Sequence, residues 1–171
     1  ATSSYLQQEV SAGAKAVQIT VKGLIGGHSG GDIHLELGNA NKMMNRILLA
    51  VALETQISSI DGGSLRNAIP RESNAVIVVS NQEDFEAKFE DMASKIKLEY
   101  AKVEPHLEIS FKAAEKPKFV LPKADAKKLL QVIYLTFNGL YRKSPDIEGL
   151  TETSNTLARV KVGDGEITIM C

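Results

Sequence analysis

Among the 171 residues, the side chains best placed to do chemistry lie near glycines. His28 stands out, because Gly26, Gly27, Gly30 and Gly31 surround it with Ser29 between. Glycines tolerate backbone angles that other residues resist, and they leave little bulk around one imidazole. Such a ring is presented to something, and near neutral pH it donates a hydrogen bond whether charged or neutral. The plainer alternative is a turn histidine that bonds its own loop. Arg66 and Asn67 precede Pro70, where a strand is expected to break. An amide side chain can hold a peptide group through one donor and one acceptor, and a guanidinium can hold a carboxylate bidentately. Each has its own simpler alternative: Asn67 as a turn residue satisfying backbone groups, Arg66 as a solvated surface cation. Arg71 is a weaker candidate than either.

The other histidines add little. His34 follows His28 within a predicted turn, not at a zinc-ligand spacing such as HxxxH on a helix. His106 begins a predicted strand and is expected to face solvent. Three scattered histidines, one cysteine and no HxD or paired-glutamate motif do not make a two-metal site, so no metal is expected in this chain.

The elements that must position these residues follow from periodicity. Val17, Ile19 and Val21 alternate with Gln18, Thr20 and Lys22, so a strand is predicted over about Ala16–Leu24, leading into the glycine loop. Ala40, Met43, Met44, Ile47, Leu48 and Val51 form one helical stripe, predicting a helix from about Gly38 or Asn39 to Thr55 with Asn39 as its cap. Ser58–Gly63 reads as a turn, with strands at about Ser64–Ile69 and Ser73–Val79. Ser80 and Glu83 have capping-box spacing, and Phe85, Phe89, Met92, Ile96, Tyr100 and Val103 form the stripe of a second helix ending before Pro105. Leu107, Ile109 and Phe111 then alternate as a strand. A connector at Glu115–Lys123 precedes a third helix, about Ala124–Asn138, burying Leu129, Leu130, Ile133 and Phe137 and capped by Asn138-Gly139. Strands at about Thr151–Val162 and Glu166–Cys171 complete the chain.

This order predicts an α+β fold: a two-layer sandwich whose antiparallel sheet is covered on one face by helices. A βαββαβ (ferredoxin-like) unit over 16–114 is followed by a partial second βαββ unit over 115–171. Residues 1–14 carry no clear period. The length and the 43% hydrophobic content fit one good core, or two small stacked ones.

Net charge is −1, from 20 basic and 21 acidic residues, so no bulk field favours nucleic acid or an anionic membrane. No run approaches the roughly 18 apolar residues that suggest a membrane span, and the N-terminus lacks the layout of a signal peptide. A lone cysteine, Cys171, excludes an internal disulfide and fits a reducing compartment. A cytoplasmic location is the expectation.

The run GGHSGGDIH followed by GNANK, then GGSLRNAIPRE at Gly62–Glu72, then GLTETSN at Gly149–Asn155, resembles in this order the aminoacyl-histidine dipeptidases (Xaa-His dipeptidases, peptidase D). These are cytosolic two-metal enzymes of the aminoacylase and carboxypeptidase superfamily. What the chain resembles is their lid domain, inserted between two halves of a metal-binding catalytic domain that this sequence lacks. The chain is therefore expected to be one lid and dimerisation domain, an excised and truncated piece. The resemblance implies that His28 reaches an active site, commonly the partner subunit's, and stabilises the oxyanion formed at the scissile carbonyl. It implies that Asn67, in the NxIP pattern, binds substrate, with Arg66 a candidate for a terminal carboxylate. It assigns no role to Thr151, Glu152, Thr153 or Asn155.

Two readings follow. In the first, the chain is the lid of a cytosolic dipeptidase hydrolysing Xaa-His-type dipeptides. Its partners are a dipeptide substrate and a second copy in a homodimer; two zinc ions lie in the missing domain, and the isolated piece is inactive. In the second it is a stand-alone ferredoxin-like dimerisation or ligand-binding module without catalysis, a reading that composition and topology fit equally well.

Overall fold

Strand β3 (Lys15–Lys22) carries the alternation read from the sequence: Val17, Ile19 and Val21 are buried, while Gln18 and Thr20 are half-exposed on the other face. In the computed structural model, which describes residues 1–11, 13–53 and 55–171, β3 lies inside a seven-stranded antiparallel sheet. Its other strands are β1 (Thr2–Ser4), β5 (Thr55–Gly62), β7 (Ser73–Val79), β8 (Glu108–Ala114), β12 (Arg159–Gly163) and β13 (Glu166–Met170). The spatial order is β1-β13-β12-β5-β7-β3-β8. Read from β8, the first half of the chain gives β8-β3-β7-β5, the ferredoxin-like arrangement of a βαββαβ unit. The later strands β12 and β13 extend the same sheet beyond β5, and β1 closes it.

Three helices cover one face. Helix α1 (Ala40–Ala50) begins at Asn39, whose side-chain oxygen accepts the backbone N–H groups of Asn41 and Lys42. Its buried stripe of Met43, Met44, Ile47 and Leu48 packs on the sheet. It ends at Ala50, short of the Thr55 expected, because Thr55 already starts β5. That strand occupies the segment read as a turn. Its apolar residues Ile57 and Ile60 are three apart, yet both are buried, because a bulge between Ile57 and Ser59 restores the facing. The strand expected at Ser64–Ile69 shrinks to β6 (Ala68–Ile69).

Helix α2 (Gln82–Tyr100) buries Phe85, Phe89, Ala93 and Ile96, and Phe111 of β8 meets the first two rings edge-on at 5.1 and 4.9 Å. Its cap is Asn81, accepting from Asp84 N–H, one residue after the Ser80 expected. Helix α3 (Lys123–Leu135) buries Leu129, Leu130 and Ile133. It stops before Phe137, which is exposed. Asn138 therefore does not cap it; the Asn138 oxygen accepts instead from Asn39 Nδ2 at 2.7 Å and Leu157 N–H at 3.1 Å. The end of α3 is capped from outside: Lys42 Nζ donates to the carbonyls of Ile133, Tyr134 and Thr136 at 2.7, 2.9 and 2.5 Å. Burial holds the Lys42 pKa below its ordinary value, while the negative end of the helix favours its charge.

Three small pairings lie outside the main sheet. Residues 1–14, without a period in sequence, supply β1 and also β2 (Gln8–Glu9), which pairs with β9 (Phe119–Val120). The strand read as continuous from Thr151 to Val162 is two: β11 (Thr151–Asn155) pairs with β10 (Gly139–Lys143), and β12 joins the sheet. The third pairing joins β4 (Gly27–His28) to β6. No helix among the described residues is long and apolar enough to cross a membrane.

Candidate functional site

The glycine loop after β3 is held by β4, which pairs Gly27 with Ile69 and His28 with Ala68. Gly27 has φ +152°, and a Cβ there would fall 2.8 Å from the Asp32 side chain. Only glycine lets Asp32 come so close, and its carboxylate accepts the His28 backbone N–H at 2.7 Å. Asp32 N–H donates back to the His28 carbonyl at 2.9 Å, closing a tight turn.

The imidazole of His28 is tied to the same turn by one nitrogen. Its Nδ1 accepts the backbone N–H groups of Gly30 and Gly31, both at 3.1 Å. In the neutral ring, an accepting Nδ1 puts the proton on Nε2. Nε2 has no partner among the described residues, and the residue is exposed. The loop thus uses one nitrogen to orient the ring and leaves a single N–H donor facing outward.

Ser29 is gripped from both sides. Its N–H donates to the backbone carbonyl of Asn67 at 2.9 Å, and its own carbonyl accepts from Ser154 Oγ at 3.0 Å. Three segments far apart in sequence therefore meet beside His28: the glycine loop, the turn before β6, and β11. Between them opens a cleft of about 410 Å³ lined by Ser29, Arg66, Asn67, Ser154, Asn155 and Thr156. Arg66 is exposed, with Nε donating to the Cys171 carbonyl at 3.4 Å. Asn67 is exposed, and its side-chain amide has no partner among the described residues. Thr156 is 3% exposed, with a hydroxyl that finds no partner among the described residues.

The remaining candidates fall elsewhere. His34 lies exposed in a short 3₁₀ turn, Ile33–Leu35. His106 is exposed, and its backbone carbonyl packs against Gly23. Arg71 is a tether, donating through Nε to the Ile25 carbonyl at 2.9 Å. Glu152 pairs with Arg142 at 2.8 Å. Asn155 stays at the cleft edge, where it donates to the Phe137 carbonyl at 2.6 Å. Sequence reasoning missed Ser154 and Thr156. A hydroxyl whose partner lies 125 residues away carries no local signal. No group of three His, Cys, Asp or Glu among the described residues could hold a metal ion, so the residues present do not fit the two zinc ions expected of the wider protein.

Comparison with known proteins bears on the same segments. A family model described as peptidase dimerisation domain matches residues 19–104, just over half the chain. The cytosol non-specific dipeptidase of Escherichia coli K12 is 36% identical over 169 residues, which is 96% of this chain and 35% of that protein. The crystal structure of aminoacylhistidine dipeptidase from Vibrio alginolyticus superposes with a TM-score of 0.91 at 32% identity, covering 98% of this chain and 35% of that one. The chain thus spans about a third of the length of these relatives.

Proposed function

This chain belongs to the peptidase dimerisation domain family, and from that premise we propose that it is the lid and dimerisation domain of a cytosolic metal-dependent dipeptidase. Its chemical contribution is His28, which donates a hydrogen bond through Nε2 to the oxyanion that forms when the scissile carbonyl is attacked. The observation that carries this reading is the division of labour on the ring. Nδ1 is occupied by two backbone donors, so the outward nitrogen is a donor in a fixed direction. A donor held in advance at the place where charge develops lowers the barrier without reorganising during the reaction.

Asn67 and Arg66 line the cleft together with Ser29, the residue after His28, and there an exposed amide can hold a substrate peptide group and a guanidinium its terminal carboxylate. Dipeptides of the Xaa-His type are the proposed substrates. The resemblance in the three motifs supports this, and so does the likeness to an aminoacylhistidine dipeptidase; the name of the other relative describes a broader enzyme. The chain acts as a homodimer, and alone it hydrolyses nothing, because the residues that activate water lie outside it.

The decisive experiment is His28→Ala in the full-length enzyme. Turnover is expected to fall roughly 10²–10³-fold, the loss associated with one oxyanion donor, with fold and metal content unchanged. Turnover within a few-fold of wild type would leave His28 a turn residue and overturn the reading. Comparing Xaa-His dipeptides with matched Xaa-Ala substrates tests the specificity.

A further inference from the structure

The mechanism leaves unused the most deeply buried carboxylate among the described residues. Glu104 is 2% exposed, in the connector between α2 and β8. Its Oε2 accepts the backbone N–H of Ile25 at 2.8 Å and its Oε1 that of Gly38 at 2.7 Å. Those two amides flank the segment from the glycine loop to the start of α1, and the groups bonded directly to His28 from Gly30, Gly31 and Asp32 lie between them. One carboxylate closes the base of the loop.

The rest of the geometry serves the same contact. Ile25 is held through both backbone groups, its N–H by Glu104 and its carbonyl by Arg71. A Cβ on Gly38 would stand 3.2 Å from Glu104 Cγ and closer still to the side chains of Met43 and Leu24, so the absence of a side chain lets the loop end seat against the carboxylate. Glu104 itself is anchored by its N–H to the Tyr100 carbonyl at 2.8 Å, at the end of a helix fixed in the core by Phe85, Phe89 and Ile96. No cation pairs with Glu104 among the described residues. A buried charge satisfied only by two backbone donors is costly to keep for stability alone, but its charge-assisted bonds are short and strong. They refer the loop to the rigid end of α2.

We propose that Glu104 is the positioning residue for His28, stapling both ends of the glycine loop so that the Gly30 and Gly31 amides meet Nδ1 and Nε2–H points outward. This rests on the reading of His28 as the oxyanion donor only for its effect on turnover; the effect on the ring stands by itself.

Glu104→Gln tests it, since the amide keeps the shape but turns an NH₂ toward one of the two N–H donors. Nitrogen-15 histidine NMR of the 171-residue chain, at a pH of about 8 where ordinary histidine is neutral, reads the ring, with His28→Ala supplying the assignment. Wild type is expected to show the widely separated nitrogen shifts of a ring locked with its proton on Nε2. In Glu104→Gln they should collapse toward the average of two exchanging tautomers. In the full-length enzyme the same variant should lose about 10–100-fold in kcat, as a displaced catalytic group does, with KM within twofold. Unchanged His28 shifts in the variant would overturn the proposal. A collapsed signature with unchanged turnover would uphold the staple and refute the donor role of His28. If the variant does not fold, hydrogen exchange in wild type decides. The Ile25 and Gly38 amides should be protected together, and exchange of either at the rate of a free peptide would overturn the proposal.

Discussion

At the scale of single residues, the two readings of His28 that the sequence sets against each other are compatible in one ring. A turn histidine and a presented donor are alternatives only if the ring is treated as one group. Nδ1 is the turn histidine, bonded to Gly30 and Gly31, and Nε2 is the nitrogen left to donate. The neighbouring Ser29 carries the cost of holding the loop, and its carbonyl leans on Ser154. Ser154→Ala should therefore destabilise the chain by about 1 kcal/mol, the usual net worth of one such bond. Chemical denaturation measures it, and an unchanged midpoint would mean the bond is not held in solution. The glycine run and the His, Arg and Asn beside it could be read from types and spacing. Glu104, Ser154 and Thr156 could not, because each acts on a segment reached only through the fold.

At the scale of elements, legibility follows how regular the pattern is. The stripes of α1 and α2 and the alternation of β3 and β7 are clean, and each was visible. β5 was hidden because QISSIDGG is polar and its bulge breaks the period of two, so its buried Ile57 and Ile60 do not alternate. β6 and β4 are two residues each, too short for any period, yet β4 carries His28 and β6 pairs with it. The end of α3 was overrun for a related reason. Asn138-Gly139 looks like a cap, but the cap is Lys42, supplied from α1. Lys42→Met keeps most of the stem and removes three hydrogen bonds to the α3 terminus. It should cost about 2 kcal/mol, in the range for bonds to a charged group, with the loss concentrated where α3 docks. Hydrogen exchange should show α3 amides opening more readily while those of β3 and β7 keep their protection. Uniform loss across the sheet would mean that Lys42 supports the whole core.

At the scale of the molecule, the sheet has two unlike ends. β1 is three residues long, whereas β8 offers seven residues that, among the described residues, pair with β3 on one side and stand at the sheet edge on the other. Such an edge is a template for another strand. Elsewhere Tyr134, Leu135 and Tyr141 of α3 and the following hairpin are 66%, 77% and 74% exposed, and exposed apolar side chains favour association where they gather in one patch. Both features favour self-association, as membership of a dimerisation-domain family does. The expectation is a dimer at micromolar concentration. Sedimentation across a concentration series tests it, and a monomer persisting to about 100 μM, weaker than roughly −5.5 kcal/mol, would refute it. The dimer must also satisfy the site. His28 lies on the glycine loop, and an interface that covered Nε2 would leave the proposed donor without access to a substrate. With His34 and His106 replaced by Gln, one histidine remains to react with diethyl pyrocarbonate. Its rate should be the same in dilute and concentrated samples. A rate that falls as the dimer forms would place His28 inside the interface and separate self-association from the proposed chemistry.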